Sequence, residues 1–217
     1  MICLFGGTFD PVHLGHLHAA RAVCRALRLD KVHLVLSARP SHKAGTSASL
    51  ADRWAMLVIA CAGDDCLEPD DREMQRDSPS YTVETLKALR RDHPEACIAW
   101  VLGSDAYAEL PTWHRWQEIM GLANLVVLTR PGPFPDLDPL MSRFTREHRV
   151  DSLAGRPSGG VLLLPGAMEE ISAANIRARI AAGQDVNHLL PGGVANYIRD
   201  HGLYRGDAGR QHGEEAG

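Results

Sequence analysis

Near its start the chain sets two glycines, a threonine and two histidines close together, in Gly6-Gly7-Thr8-Phe9-Asp10-Pro11-Val12-His13-Leu14-Gly15-His16. The apolar run Ile2-Cys3-Leu4-Phe5 precedes it, and an amphipathic segment follows as far as Leu27. Strand, glycine loop and helix start is the arrangement this pattern predicts. Loop N–H groups and the positive end of the helix dipole then share one space, which makes an anion site before any side chain is counted. His13 and His16, three residues apart at the helix start, fall on one face and can address the same bound group. A metal site is the rival, because His18 is a third nitrogen ligand nearby. A residue at i+5 diverges from the others by more than a quarter turn, and neither a cysteine nor a carboxylate pair lies close in sequence. Phosphate chemistry is therefore the expectation, with no metal ligated by protein side chains.

The elements that must position this loop follow from periodicity. Lys31 to Leu36 alternates and then becomes continuously apolar, as a buried strand does. After a polar loop at 37–47, Ser49 and Asp52 form a capping-box pattern ahead of a helix at 50–62. A short strand is expected within 66–77, a helix from Ser80 to about Pro94, a strand at 97–102 and a further strand at 124–129. Val161-Leu162-Leu163-Leu164 returns to the sheet, Ser172 caps a helix that Gly183 ends, and a last helix covers 194–201. Alternating strands and helices predict an α/β fold, a Rossmann-like doubly wound parallel sheet with helices on both faces and right-handed crossovers. A single domain over 1–205 is expected, with 133–160 a surface excursion and 206–217 a disordered tail.

In open parallel sheets, ligands sit outside the carboxyl ends of strands. Gly6-Gly7, Pro40-Ser41-His42-Lys43 and Gly103-Ser104-Asp105 all follow predicted strands. Arg177 and Arg179 add cations from the late helix. Neither G-x-G-x-x-G nor G-x-x-x-x-G-K-[ST] is present, and there is no nucleophile elbow. Histidine, lysine and arginine donors drawn from separate strand ends suit a polyphosphate. A phosphate monoester with its second pKa near 6 needs no general base to attack a nucleoside triphosphate at pH 7, so alignment and charge stabilisation are what remain for the protein. Mg²⁺ would then be held mostly by phosphate oxygens and water.

The 217 residues allow one good core, with 45% hydrophobic and 23% charged residues as in ordinary globular proteins. A net charge of −4 argues against a general nucleic-acid or anionic-membrane binder. The five cysteines, Cys3, Cys24, Cys61, Cys66 and Cys97, are scattered in mostly apolar contexts and read as reduced thiols of a cytoplasmic protein. No signal-peptide pattern or membrane-length apolar run is seen.

Gly6-Gly7-Thr8-Phe9-Asp10-Pro11-x-His13-x-Gly15-His16 resembles the first signature of the HxGH nucleotidylyltransferases, and Ile171-Ser172-Ala173-Ala174-Asn175-Ile176-Arg177 resembles their second. Pro40-x-His42-Lys43, Ser80-Tyr81-Thr82-x-x-Thr85-Leu86, Gly103-x-Asp105 with Trp113, Arg130-Pro131-Gly132 and Tyr197-Ile198 narrow the likeness to the bacterial nicotinate-nucleotide adenylyltransferases. The resemblance implies transfer of AMP from ATP to nicotinate mononucleotide, with Mg²⁺, giving nicotinate adenine dinucleotide and pyrophosphate. It implies catalytic roles for His13 and His16. ATP contacts would come from Gly6, Gly7, Thr8, Phe9, His13, His16, Lys43, Gly103, Asp105, Ile171, Ser172 and Arg177. The second substrate would meet His42, Thr82, Trp113, His114 and Arg130. Two positions depart from the family pattern: Ala173 and Ala174 replace hydroxyl residues of the second signature, and His114 stands where the family often has Tyr. Nicotinamide mononucleotide or phosphopantetheine as acceptor are the alternatives within the same chemistry, and a non-catalytic zinc or nucleotide-binding module is the alternative outside it. Oligomeric state is left open, a homo-oligomer included.

Overall fold

A computed structural model describes residues 1–40, 46–129, 136–169 and 171–205. In chain order the strands are β1 (Ile2–Gly7), β2 (Val32–Leu36), β3 (Leu67–Asp70), β4 (Ile98–Gly103), β5 (Asn124–Leu128) and β6 (Val161–Leu164). The helices are α1 (Leu14–Leu27), α2 (Leu50–Cys61), α3 (Thr82–Asp92), α4 (Ser104–Ala108), α5 (Trp116–Leu122), α6 (Pro139–His148), α7 (Ala173–Ala181) and α8 (Gly192–Asp200). Every pairing is parallel and the order is β3-β2-β1-β4-β5-β6. The strand order therefore reverses between β1 and β4, and the crevice outside their carboxyl ends is where such sheets take ligands.

Strand alternation explains why helices cover both faces. Cys3 and Phe5, Leu34 and Leu36, Ala99 and Val101, and Val126 and Leu128 enter one core, with Leu17, Leu57, Ile176 and Val194 from α1, α2, α7 and α8. The intervening Leu4, Val35, Trp100, Leu102, Leu125 and Val127 enter a second core with Leu86, Tyr107, Ile119 and Met141 from α3 to α6. Both sets are needed because a parallel sheet wound on both sides leaves neither face to water. Within the stretch expected as a surface excursion, Met141 reaches the second core and Leu153 the first, both almost wholly buried. Buried Asn124 fastens that stretch, donating to the carbonyls of Ile98 and Arg156 and accepting from Gly160 N–H.

A local signal starts α2 where expected. Ser49 Oγ accepts from Asp52 N–H and donates to the Asp52 carboxylate at 2.6 Å, closing the predicted cap of α2. The expectation of five reduced thiols is corrected at one pair: Cys24 and Cys66 are joined by a disulfide. The last turn of α1 and the residue before β3 meet beside β2, where Val32 N–H donates to Cys66 O. Burial pushes the Cys3 and Cys61 thiols up to about 12, so neither offers a thiolate. Among the described residues, no helix is long and apolar enough to cross a membrane.

The floor of the crevice depends on one missing side chain. A Cβ on Gly6 would stand 2.3 Å from Trp100 Cζ2 on the neighbouring strand. Gly6→Ala should force the indole or β1 to move, at about 1–3 kcal/mol as for other overpacked cores. Thermal unfolding should show Tm lower by roughly 2–10 °C, partly restored when Trp100→Leu is added; an unchanged Tm would contradict the packing argument.

Candidate active site

Gly6 and Gly7 end β1, and the chain then turns sharply before α1. Phe9 sits at φ 46°, in the left-handed region that non-glycine residues seldom occupy, and its ring folds back over Gly7. A Cβ at Gly7 would lie 2.8 Å from that ring, so the bare glycine permits the turn. The Phe9 ring meets the His16 imidazole edge to face at 5.0 Å. His13 precedes the helix as its N-cap residue, and the His13 and His16 rings stack at 3.6 Å. Gly15 makes room for the stack, since a Cβ there would lie 3.2 Å from both His13 Nδ1 and Ile171 Cβ.

The two imidazoles have different surroundings. His16 lines a cavity of about 920 Å³, whereas His13 lies behind it at 5% exposure. His13 N–H donates to His16 Nδ1 at 3.3 Å, which leaves the neutral His16 ring its proton on Nε2. His13 Nδ1 is buried without a hydrogen-bond partner, and burial pulls the His13 pKa down to about 4. His13 is thus neutral at pH 7. His18 diverges as its spacing requires and contacts Glu169 at 2.6 Å.

Asp10 ties the loop to the rest of the molecule. Its carboxylate accepts from Ser47 N–H at 2.7 Å, Ala48 N–H at 3.1 Å and the Tyr204 hydroxyl at 2.7 Å. Its backbone carbonyl accepts from Arg177 Nη1 at 2.7 Å, so α7 closes on the same point. Burial, with Asp10 as acceptor, holds the Tyr204 hydroxyl protonated well above its ordinary range.

Across the cavity stands a second wall. Ser80, Tyr81 and Thr82 bring the N-terminus of α3 to it, and helix starts leave their first N–H groups without intrahelical partners. Trp113 lines it and packs on the second core, while the exposed His114 ring stacks on Tyr81 at 4.2 Å. Buried Glu73 reaches the same wall, its Oε1 accepting from the Thr85 hydroxyl at 2.5 Å.

The cavity therefore gathers Gly6, Gly7, Thr8, Phe9, His16, Gly103, Arg177, Thr82, Trp113 and His114 from the sequence-predicted set. Ile171 stands against Gly15 beneath the loop, and Ser172 is the exposed N-cap of α7. Exposed Asp105 lies in the first turn of α4 and is absent from the cavity lining. His42, Lys43 and Arg130 lie outside the described residues. Sequence reasoning assigned no role to Arg53, Glu73, Trp100 or Tyr204. Arg53 carried no usable signal, since an arginine in an amphipathic helix reads as a solvated face. Among the described residues, no three His, Cys, Asp or Glu side chains are grouped to hold a metal ion.

The family model of the cytidylyltransferase-like proteins matches residues 4–179. Over 209 residues the chain is 42% identical to a probable nicotinate-nucleotide adenylyltransferase of Aeromonas salmonicida (strain A449), covering 95% of this chain and 98% of the relative. It is 41% identical to the protein of the same description from Pseudomonas syringae pv. tomato, covering 94% and 93%. Among solved structures, Plasmodium falciparum nicotinic acid mononucleotide adenylyltransferase complexed with NaAD superposes with a TM-score of 0.73 at 18% identity, covering 94% of this chain and 96% of that one, a likeness of fold.

The depressed His13 pKa makes a pH prediction. The unfolded chain binds a proton on this ring below about 6.5, but the folded chain does so only near 4. Stability from this residue is complete above pH 6.5 and is lost as pH falls toward 4, by up to about 3 kcal/mol. Urea unfolding at pH 7, 5.5 and 4.5 should show a shallower decline for His13→Asn than for the unaltered protein; parallel declines would contradict a buried neutral imidazole.

Proposed function

The chain belongs to the cytidylyltransferase-like family and, within it, to the nicotinate-nucleotide adenylyltransferases, and from that membership we infer how its cavity works. The protein transfers AMP from ATP to nicotinate mononucleotide, giving nicotinate adenine dinucleotide and pyrophosphate in NAD biosynthesis. The observation that carries the residue assignment is the meeting of the glycine loop, the His13–His16 stack and Arg177 at the β1/β4 reversal, opposite the start of α3. One end of the cavity is rich in donors for phosphates, and the other offers helix N–H groups and an indole. About 920 Å³ is near the upper end of ordinary small-molecule sites and suits two substrates bound end to end.

In this proposal the phosphate of nicotinate mononucleotide, already largely ionised at pH 7, attacks the α-phosphorus of ATP in line, forming a P–O–P bond as the bond to pyrophosphate breaks. No side chain need take a proton from the nucleophile. Gly6, Gly7, Thr8 and Phe9 present backbone to the phosphates, with His16 Nε2–H donating to phosphoryl oxygen and His13 supporting it from behind. Arg177, Ser172 and the backbone at Ile171 hold the β- and γ-phosphates, and Lys43 adds charge. Gly103 and Asp105 take the ATP ribose. Backbone N–H groups at the start of α7 serve where Ala173 and Ala174 lack hydroxyls. Thr82 and the His114 backbone receive the nicotinate carboxylate at the start of α3, Trp113 stacks on the pyridine, and His42 and Arg130 complete that end.

Mg²⁺ fits as a passenger on ATP. The Asp10 carboxylate is committed to three donors and one oxygen of Glu73 to Thr85, so phosphate oxygens and water would supply its ligands. When bound it neutralises phosphate charge. Residues 1–205 act as one nucleotidylyltransferase domain.

Pure protein with ATP and nicotinate mononucleotide should release pyrophosphate, with kcat/KM at least about tenfold above that for nicotinamide mononucleotide, the scale of one well-placed polar discrimination. No pyrophosphate above a blank would refute the activity, and equal kcat/KM values would refute carboxylate recognition. His16→Ala should lower kcat by roughly 10²–10³ and change KM for ATP far less, as removal of a transition-state donor does; an effect confined to KM would remove His16 from that role.

A further inference from the structure

Arg53, on α2, is 1% exposed and is among the largest fully buried side chains of the described residues. Its guanidinium donates to backbone carbonyls. Nη1 donates to Thr8 O at 3.0 Å and to Ser37 O at 2.7 Å, and Nη2 donates to Ala38 O at 3.1 Å. Thr8 belongs to the loop after β1 and Ser37 and Ala38 to the loop after β2, so one planar group bridges two strand ends. Ser37 N–H also donates to Gly7 O at 2.8 Å, and the Asp10 carboxylate takes Ser47 and Ala48 from the other side. We propose that Arg53 is a positioning residue for the transfer reaction: its guanidinium fork fixes the Gly7-Thr8 backbone against the β2 loop, and so sets where the ATP phosphates lie relative to His16.

A buried carbonyl left unmatched costs as much as a lost hydrogen bond, and of the three acceptors Ala38 is buried while Thr8 and Ser37 are half-buried. Arg53 satisfies all three with donors fixed in one plane, which a flexible ammonium cannot reproduce. Because the loop meets phosphate through backbone, its position is part of the catalytic geometry, and misplacement by about 1 Å costs on the order of 10²-fold.

The inference rests on the adenylyl-transfer activity above, and the test separates the two. Arg53→Lys and Arg53→Gln are compared with the unaltered protein for pyrophosphate release, with the folded fraction fixed by circular dichroism and thermal melting. If the unaltered protein releases no pyrophosphate, the activity itself fails. If it is active, Arg53→Lys per folded molecule should lose about ten- to a hundredfold in kcat, with KM for nicotinate mononucleotide within about threefold, since that substrate's wall is untouched. Arg53→Gln, which offers two donors on a shorter stem, should lose at least as much. Variants that fold and keep the normal kcat would overturn the proposal. So would loss of folding in both, because Arg53 would then be a support of the core and not of the loop.

Discussion

The loop after β1 leaves the sheet and turns sharply before α1, so its position rests on contacts with the rest of the fold. Here the holding is done from outside, and Asp10 is the point through which most of it passes. Three donors converge on its carboxylate and Arg177 on its carbonyl, joining the β1 loop to residues 47–48, to Tyr204 beyond α8 and to α7. Asp10 is 6% exposed, and a buried acceptor is tolerable only when its hydrogen bonds are met. Elements far apart in sequence must therefore all arrive before this loop is complete, which makes the site a property of the whole fold.

The glycines express the same constraint in steric terms. Gly6 yields its Cβ space to Trp100, Gly7 to the Phe9 ring, and Gly15 to His13 and Ile171. None of these three is explained by a positive φ, since the left-handed residue in the loop is Phe9. Their role is close approach, between adjacent strands at Gly6 and between the two signatures at Gly15. The first and second signatures are thus in contact through a missing side chain, which couples the histidine end of the site to the start of α7.

Periodicity made the sheet and the principal helices legible, because alternation in β1, β2, β4 and β5 records which core each residue enters. The loop, both histidines and the start of α3 were legible as well, because glycine, histidine and capping patterns are local. Arg53, Glu73 and the Asp10–Tyr204 contact were not, because each depends on a partner brought in by tertiary packing. The Cys24–Cys66 bond was missed for the same reason: 42 residues separate the two, and scattered cysteines carry no record of which strand ends meet. Within 133–160 a weak pattern hid two buried anchors, Met141 and Leu153, among turn residues.

The histidine pair shows how such a fold tunes its own chemistry. Two imidazolium rings with centroids 3.6 Å apart would repel by roughly 4–5 kcal/mol at an effective dielectric of 20, so the stack carries at most one proton cheaply. Burial assigns the neutral state to His13. His16, at the cavity and holding His13 N–H on Nδ1, is the ring able to turn Nε2–H toward a phosphoryl oxygen.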